Sequence, residues 1–236
     1  MTEFNGKIVV VTGAAGNLGR AVVKAFLDRG EIVFGLDHKA GRMMGIGTPD
    51  TQKGKFFPLD YVDVTDPSAV DVVAERVHQL AGPADILVNC LGGFTMGEQV
   101  YAISQETWDR MMAINVGSFL NLSRSFMPDL LGKGEGRVIA VTAGASLKGG
   151  AKMGAYSAAK AGLLRLVESL AAEGAATDIR VNAVMPGTID TPENRAEMPN
   201  ADRSKWVPPE AVADAVVFLA SSGAAYVNGA TLPVRG

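Results

Sequence analysis

Residues 12–19 read TGAAGNLG, and they sit between two segments of opposite character. Before them runs KIVVVTG, a continuous β-branched stretch, and such a run is a strand buried on both faces, as in a parallel sheet. After them NLGRAVVKAFLDRG places Val22, Val23, Phe26 and Leu27 at helical spacing, with Gly30 as the expected stop. Gly13, Gly16 and Gly19 lack a Cβ, so backbone can approach a pyrophosphate and the helix can pack on the strand. The helix N-terminus then turns free N–H groups and a partial positive charge toward an anion. The strand–turn–helix context lifts this spacing above a structural turn. It marks Gly13, Ala15, Gly16, Asn17, Leu18 and Gly19 as a dinucleotide-binding turn.

The same alternation continues along the chain. EIVFGLD, KFFPLD, ADILVNC, GRVIAVTA and IRVNAVMPG read as strands, and ATLPVRG as a closing one. DPSAVDVVAERVHQLAG opens on an Asp66 cap with Pro67 at the first helical position. SQETWDRMMAINVGSFLNLSRSFMPDLL reads as one long helix, and GAYSAAKAGLLRLVESLAAEG and PPEAVADAVVFLAS as two more. Strands alternating with helices give right-handed βαβ units. The expected fold is therefore an α/β, single-domain, Rossmann-like doubly wound parallel sheet over 1–236. TIDTPENRAEMPNADRSKWVPP, rich in proline and polar residues, reads as a surface loop, a substrate lid at about 188–208.

Composition narrows the function. With 22 basic against 25 acidic residues, the net charge of -3 and scattered charges exclude a nucleic-acid patch and favour a small-molecule substrate. One cysteine, Cys90, and two distant histidines, His38 and His78, exclude an internal disulfide and a typical zinc site, so no metal is expected. No apolar run is long enough for a membrane span and the MTEFN start lacks a signal core, so a soluble cytoplasmic protein is expected.

Asp37 ends the second strand about 20 residues beyond the turn, where an acid accepts from the adenosine ribose. A 2′-phosphate would meet its charge, which favours NAD(H) over NADP(H), although His38, Lys39 and Arg42 could neutralise such a phosphate. Asp63 could accept from the adenine amino group or serve as a turn acid, with Val64 beside it.

Tyr156 and Lys160 stand at i, i+4 on one predicted helix face. Free tyrosine titrates at about 10 and needs a lower pKa to exchange protons near neutrality. A cation ~4 Å away at an effective dielectric of about 20 supplies roughly 4 kcal/mol, enough to move the titration by about 3 pH units before desolvation.

Taken together, TGAAGNLG, VNCLGG, INVGS, YSAAK, VNAVMPGTIDT and YVNGATLPV resemble the short-chain dehydrogenase/reductase family along nearly the whole chain. The resemblance implies that Tyr156 exchanges a proton with the substrate oxygen and that Lys160 lowers its pKa and holds the ribose. It implies that Asn115 binds a water linking Lys160 to solvent, and that Asn89, Leu91 and Gly92 sit beside the adenosine ribose. Pro186, Gly187, Ile189 and Thr191 would line the nicotinamide side. The family also pairs two helices across an interface, so a homodimer or homotetramer is expected.

The chain departs from the family at one position. The usual serine, thirteen residues before the tyrosine, is Ala143. Such a donor steadies the oxygen as it gains charge, and its loss costs about 3 kcal/mol. Ser146 could swing in, Thr142 could substitute from a position one residue away on the strand, or the substrate could need no donor. The last option resembles the quinonoid dihydropteridine reductase branch, whose lid is similar to IDTPENRAEMPNADRSKWVPPE. A non-catalytic dinucleotide-binding protein is the rival that Ala143 supports.

Overall fold

The computed structural model describes residues 6–46 and 53–236, so the MTEFN start lies outside the described residues. Strands β1 (Ile8–Thr12), β2 (Ile32–Leu36), β3 (Lys55–Leu59), β4 (Ile86–Asn89), β5 (Glu135–Val141), β6 (Asp178–Pro186) and β7 (Thr231–Val234) form one sheet, ordered β3-β2-β1-β4-β5-β6-β7. Every pairing is parallel, for example Val10 with Phe34 and Leu87, which fits the expected doubly wound fold.

Period-two alternation in buried strands gives the sheet two apolar faces. Val10, Leu87, Val138 and Ala140 pack in one core with residues of α2 (Pro67–Ala81), α4 (Ser118–Lys133) and α5 (Gly154–Glu173). Val9, Val11, Val88, Ile139 and Val141 pack in the other with α1 (Asn17–Leu27) and α7 (Pro209–Ala220). The strand order reverses direction between β1 and β4, so a crevice opens at their carboxyl ends.

Asp66 caps α2 as expected, its carboxylate accepting from Ser68 N at 2.9 Å. Two helical expectations need correction. The long helix through Asn115 is α3 (Gln105–Met112), a π-helical turn (Ala113–Gly117) and then α4. The π turn shifts the backbone ladder, and Asn115 Nδ2 takes up the Met111 carbonyl at 3.1 Å. The lid, read as plain loop, contains α6 (Pro192–Glu197), which Thr191 caps by accepting from Asn194 N at 3.2 Å. A parallel bridge between Ile189 and Val207 closes the lid at its base.

Candidate dinucleotide cleft and proton-transfer site

The crevice starts at the glycine turn. Gly13 has φ +64°, and a Cβ there would stand 3.1 Å from Leu91 N. A Cβ on Gly19 would stand 2.0 Å from the Gly13 carbonyl, so α1 packs this closely only because Gly19 has no side chain. Leu18 instead packs into the apolar core, and the Ala15 carbonyl accepts from Arg20 Nε at 3.1 Å. Asn17 donates to Glu193 of α6 at 2.6 Å, so the lid reaches across to the turn.

A cavity of about 190 Å³ beside the turn is lined by Gly13 of the turn and by Asp37, Asp63, Val64 and Leu91, expected on the adenosine side. His38 lines it too, as do Leu36, Val62, Thr65 and Ile114, which sequence reasoning had not singled out. Asp37 is buried; it accepts from Lys39 N at 3.1 Å, with His38 Nδ1 at 3.6 Å and Arg42 at 3.9 Å. Asp63 also serves as a turn acid, accepting from the Thr65 amide and hydroxyl.

Thr12, another residue left out of the sequence-based site, joins the strand ends. Its hydroxyl donates to Asn89 Oδ1 at 2.6 Å and accepts from Leu91 N at 3.3 Å. Asn89 Nδ2 is buried without a partner among the described residues, a donor left over at the cleft floor.

Beyond Leu91 the chain passes between two polar side chains. A Cβ on Gly92 would lie 2.9 Å from Lys160 Nζ and 3.0 Å from Asn115 Oδ1. Asn115 grips the next residue at both ends, accepting from Gly93 N at 3.2 Å and donating to its carbonyl at 3.1 Å. Both Asn115 and Lys160 are buried. The structure therefore brings Gly92, Asn115 and Lys160 together, with Tyr156 one turn before Lys160 on α5.

Lys160 Nζ donates to the Val141 carbonyl at 3.0 Å and makes no hydrogen bond to the phenol. Burial pulls its ammonium down to about 8, opposed by Cys90. Burial alone pushes the Tyr156 phenol up to about 12. The lowering expected from Lys160 is absent from this balance, in which desolvation is unopposed. Phe94 packs edge-on against Tyr156, with ring centroids 5.0 Å apart and planes at 80°.

The hydroxyls resolve as follows. Ala143 offers none. Ser146 is buried in a short turn and donates to the Ala143 carbonyl at 2.7 Å. Thr142 is 2% exposed, and its hydroxyl has no partner among the described residues. On the far side Gly187 N donates to Val234 O at 2.8 Å, just beyond Pro186 at the end of β6. Ile189 and Thr191 are occupied by the lid bridge and the α6 cap. No cluster able to hold a metal occurs among the described residues. No helix there is long and apolar enough to cross a membrane.

Comparison with known proteins agrees with this geometry. The family model for short chain dehydrogenases matches residues 7–202. The chain is 35% identical to the 3-oxoacyl-acyl-carrier-protein reductase FabG of Escherichia coli K12, covering 99% of this chain and 98% of that protein. The corresponding FabG of Thermotoga maritima is 30% identical over the same shares. A short-chain dehydrogenase/reductase structure from Burkholderia xenovorans superposes with a TM-score of 0.89 at 27% identity, covering 99% of this chain and 96% of that one. With its parallel sheet, glycine turn and paired Tyr156 and Lys160, the chain belongs to the short-chain dehydrogenase/reductase family of oxidoreductases.

Proposed function

We propose that the protein transfers hydride between a nicotinamide dinucleotide and a carbonyl or alcohol substrate, with Tyr156 handling the proton. One observation supports this reading: Lys160 Nζ stands at Gly92, next to Leu91 of the cavity wall, with Tyr156 one turn before it on α5. The residues fit the cofactor. Gly13, Gly16 and the N-terminus of α1 would hold the pyrophosphate, the cavity at Asp37, Asp63 and Val64 the adenosine, and the unpaired Asn89 amide a ribose oxygen. When bound, the nicotinamide accepts or supplies hydride at its ring carbon.

The protein's own part is proton transfer and positioning. Burial pushes the Tyr156 phenol up, so it carries its proton near neutrality and has one to give in the reductive direction. The Lys160 ammonium beside the same cleft stabilises the phenolate as that proton leaves. Asn115 fixes the loop that passes between it and Lys160.

The buried Asp37 carboxylate supports NAD(H) over NADP(H), since a 2′-phosphate would have to approach a negative charge. An apparent KM lower for NADPH than for NADH would overturn that preference. FabG relatives make a β-ketoacyl thioester one substrate to test. The commitment of Ser146 to Ala143 favours the second reading, an enzyme like the serine-less quinonoid dihydropteridine reductase branch. In either case Tyr156→Phe should lower kcat by ~10²-fold or more while NADH still binds, because general acid catalysis contributes on that scale. Unchanged turnover would remove Tyr156 from the reaction.

A further inference from the structure

Phe94 is a large aromatic side chain that the cores do not explain. It is 54% exposed and belongs to none of the buried apolar clusters, yet its ring lies against Tyr156. Its backbone is held. Asn115 bonds both the N–H and the carbonyl of Gly93, and a Cβ on Gly93 would stand 3.0 Å from Ile114. A half-exposed aromatic ring therefore stands beside the Tyr156 ring, on a backbone anchored one residue earlier. Met96, two residues on, is 64% exposed and adds a polarizable apolar neighbour in the same loop.

The hydroxyl inventory points the same way independently. Ser146 has committed its proton to Ala143, Thr142 is closed off by burial, and Ala143 has no hydroxyl. An isolated ketone would build negative charge on its oxygen with one donor where the reaction profits from two. A conjugated acceptor spreads that charge through its own π system.

We propose that Phe94 determines specificity and selects a flat, conjugated carbonyl or imine acceptor, packed beside Tyr156. This rests on the hydride-transfer reading above. Hydride leaves the dihydronicotinamide ring carbon, carrying two electrons to the acceptor. The Tyr156 O–H bond breaks and its proton joins the acceptor's oxygen or nitrogen. The nicotinamide is oxidised, the acceptor reduced, and the phenolate recovers a proton from solvent.

The test compares NADH oxidation with phenanthrenequinone, a flat conjugated acceptor, and with acetoacetyl-CoA, a flexible β-ketoacyl thioester. Phe94→Ala should lower kcat/KM for the quinone about tenfold or more and change the thioester by less than about threefold, because the lost contact is ring against ring. Phe94→Trp should restore the quinone reaction. NADH binding, followed by its fluorescence, should stay at the wild-type level in both variants. An equal loss with both substrates, no loss with the quinone, or a wild-type enzyme that does not reduce the quinone overturns the proposal. Tyr156→Phe separates the two readings. If it leaves turnover intact, the proton-transfer assignment fails, while the substrate dependence of Phe94→Ala still reports on ring selection.

Discussion

At Gly92 a single hydrogen atom faces both Lys160 Nζ and Asn115 Oδ1. Position 92 therefore sets where the ammonium can stand. The far end of a lysine moves cheaply, so Gly92→Ala should displace Nζ rather than unfold the protein. A misplacement of about 1 Å in a reacting constellation costs up to ~10²-fold in rate, and we expect kcat to fall toward that scale with little change in melting temperature. Equal losses of stability and activity would show that the methyl group is accommodated by the backbone instead. Residue chemistry at this site was only partly legible in the sequence. The identities of Tyr156, Lys160 and Gly92 follow from motifs. The Lys160 bond to Val141, the Ser146 bond to Ala143 and the Phe94 contact depend on where a turn between β5 and α5 and a loop after β4 come to rest. No periodicity encodes that.

Among the elements, strands and helices with strong periodicity fall where the pattern puts them, from β1 through α1 to the capped start of α2. The exceptions have local causes. A π turn and a following helix give the same apolar spacing over a short window as one long helix, so the break at Asn115 is invisible until the Met111 carbonyl is seen to take a side-chain donor. The lid helix is too short and too polar for periodicity, although Thr191 before Pro192 is the ordinary start signal for a helix. On α5 Leu163 is fully buried in the core and Leu166 and Leu170 are half-buried, while Leu120 and Leu131 on α4 are exposed. We propose self-association through these two helices. Sedimentation should give a dimer or tetramer at micromolar concentration, and replacing Leu120 and Leu131 with Glu should shift it toward monomer. A wild-type monomer would contradict this.

For the whole molecule, the end of the sheet opposite the cleft bears on stability. Glu31 is fully buried just before β2, with one oxygen accepting from Lys7 N and the other unpartnered among the described residues. Burial, with Asp85 nearby, pushes its carboxyl up from its ordinary 4.5 to about 6, against the Lys7 bond and charge. The folded state thus holds this proton more tightly than the unfolded chain. The stabilising contribution is fully present below 4.5 and lost as pH rises through about 6. Glu31→Gln keeps an acceptor for Lys7 and removes the charge. It should raise the melting temperature at pH ~8, by an amount worth about 1–2 kcal/mol, and the advantage should vanish as pH falls toward the unfolded value. An advantage independent of pH would mean that packing, not ionisation, is responsible.

We propose that Tyr156 gives up its proton under the influence of the Lys160 ammonium beside a bound nicotinamide. Stopped-flow measurement of a single turnover from bound NADH, across pH and at saturating acceptor, reaches that step most directly. The wild-type rate should fall as pH rises through about 8, where burial has placed the lysine. Tyr156→Phe should be slower by ~10²-fold or more and lose that dependence. A phenylalanine variant that transfers hydride at the wild-type rate with the same pH profile would rule out Tyr156 as the proton donor.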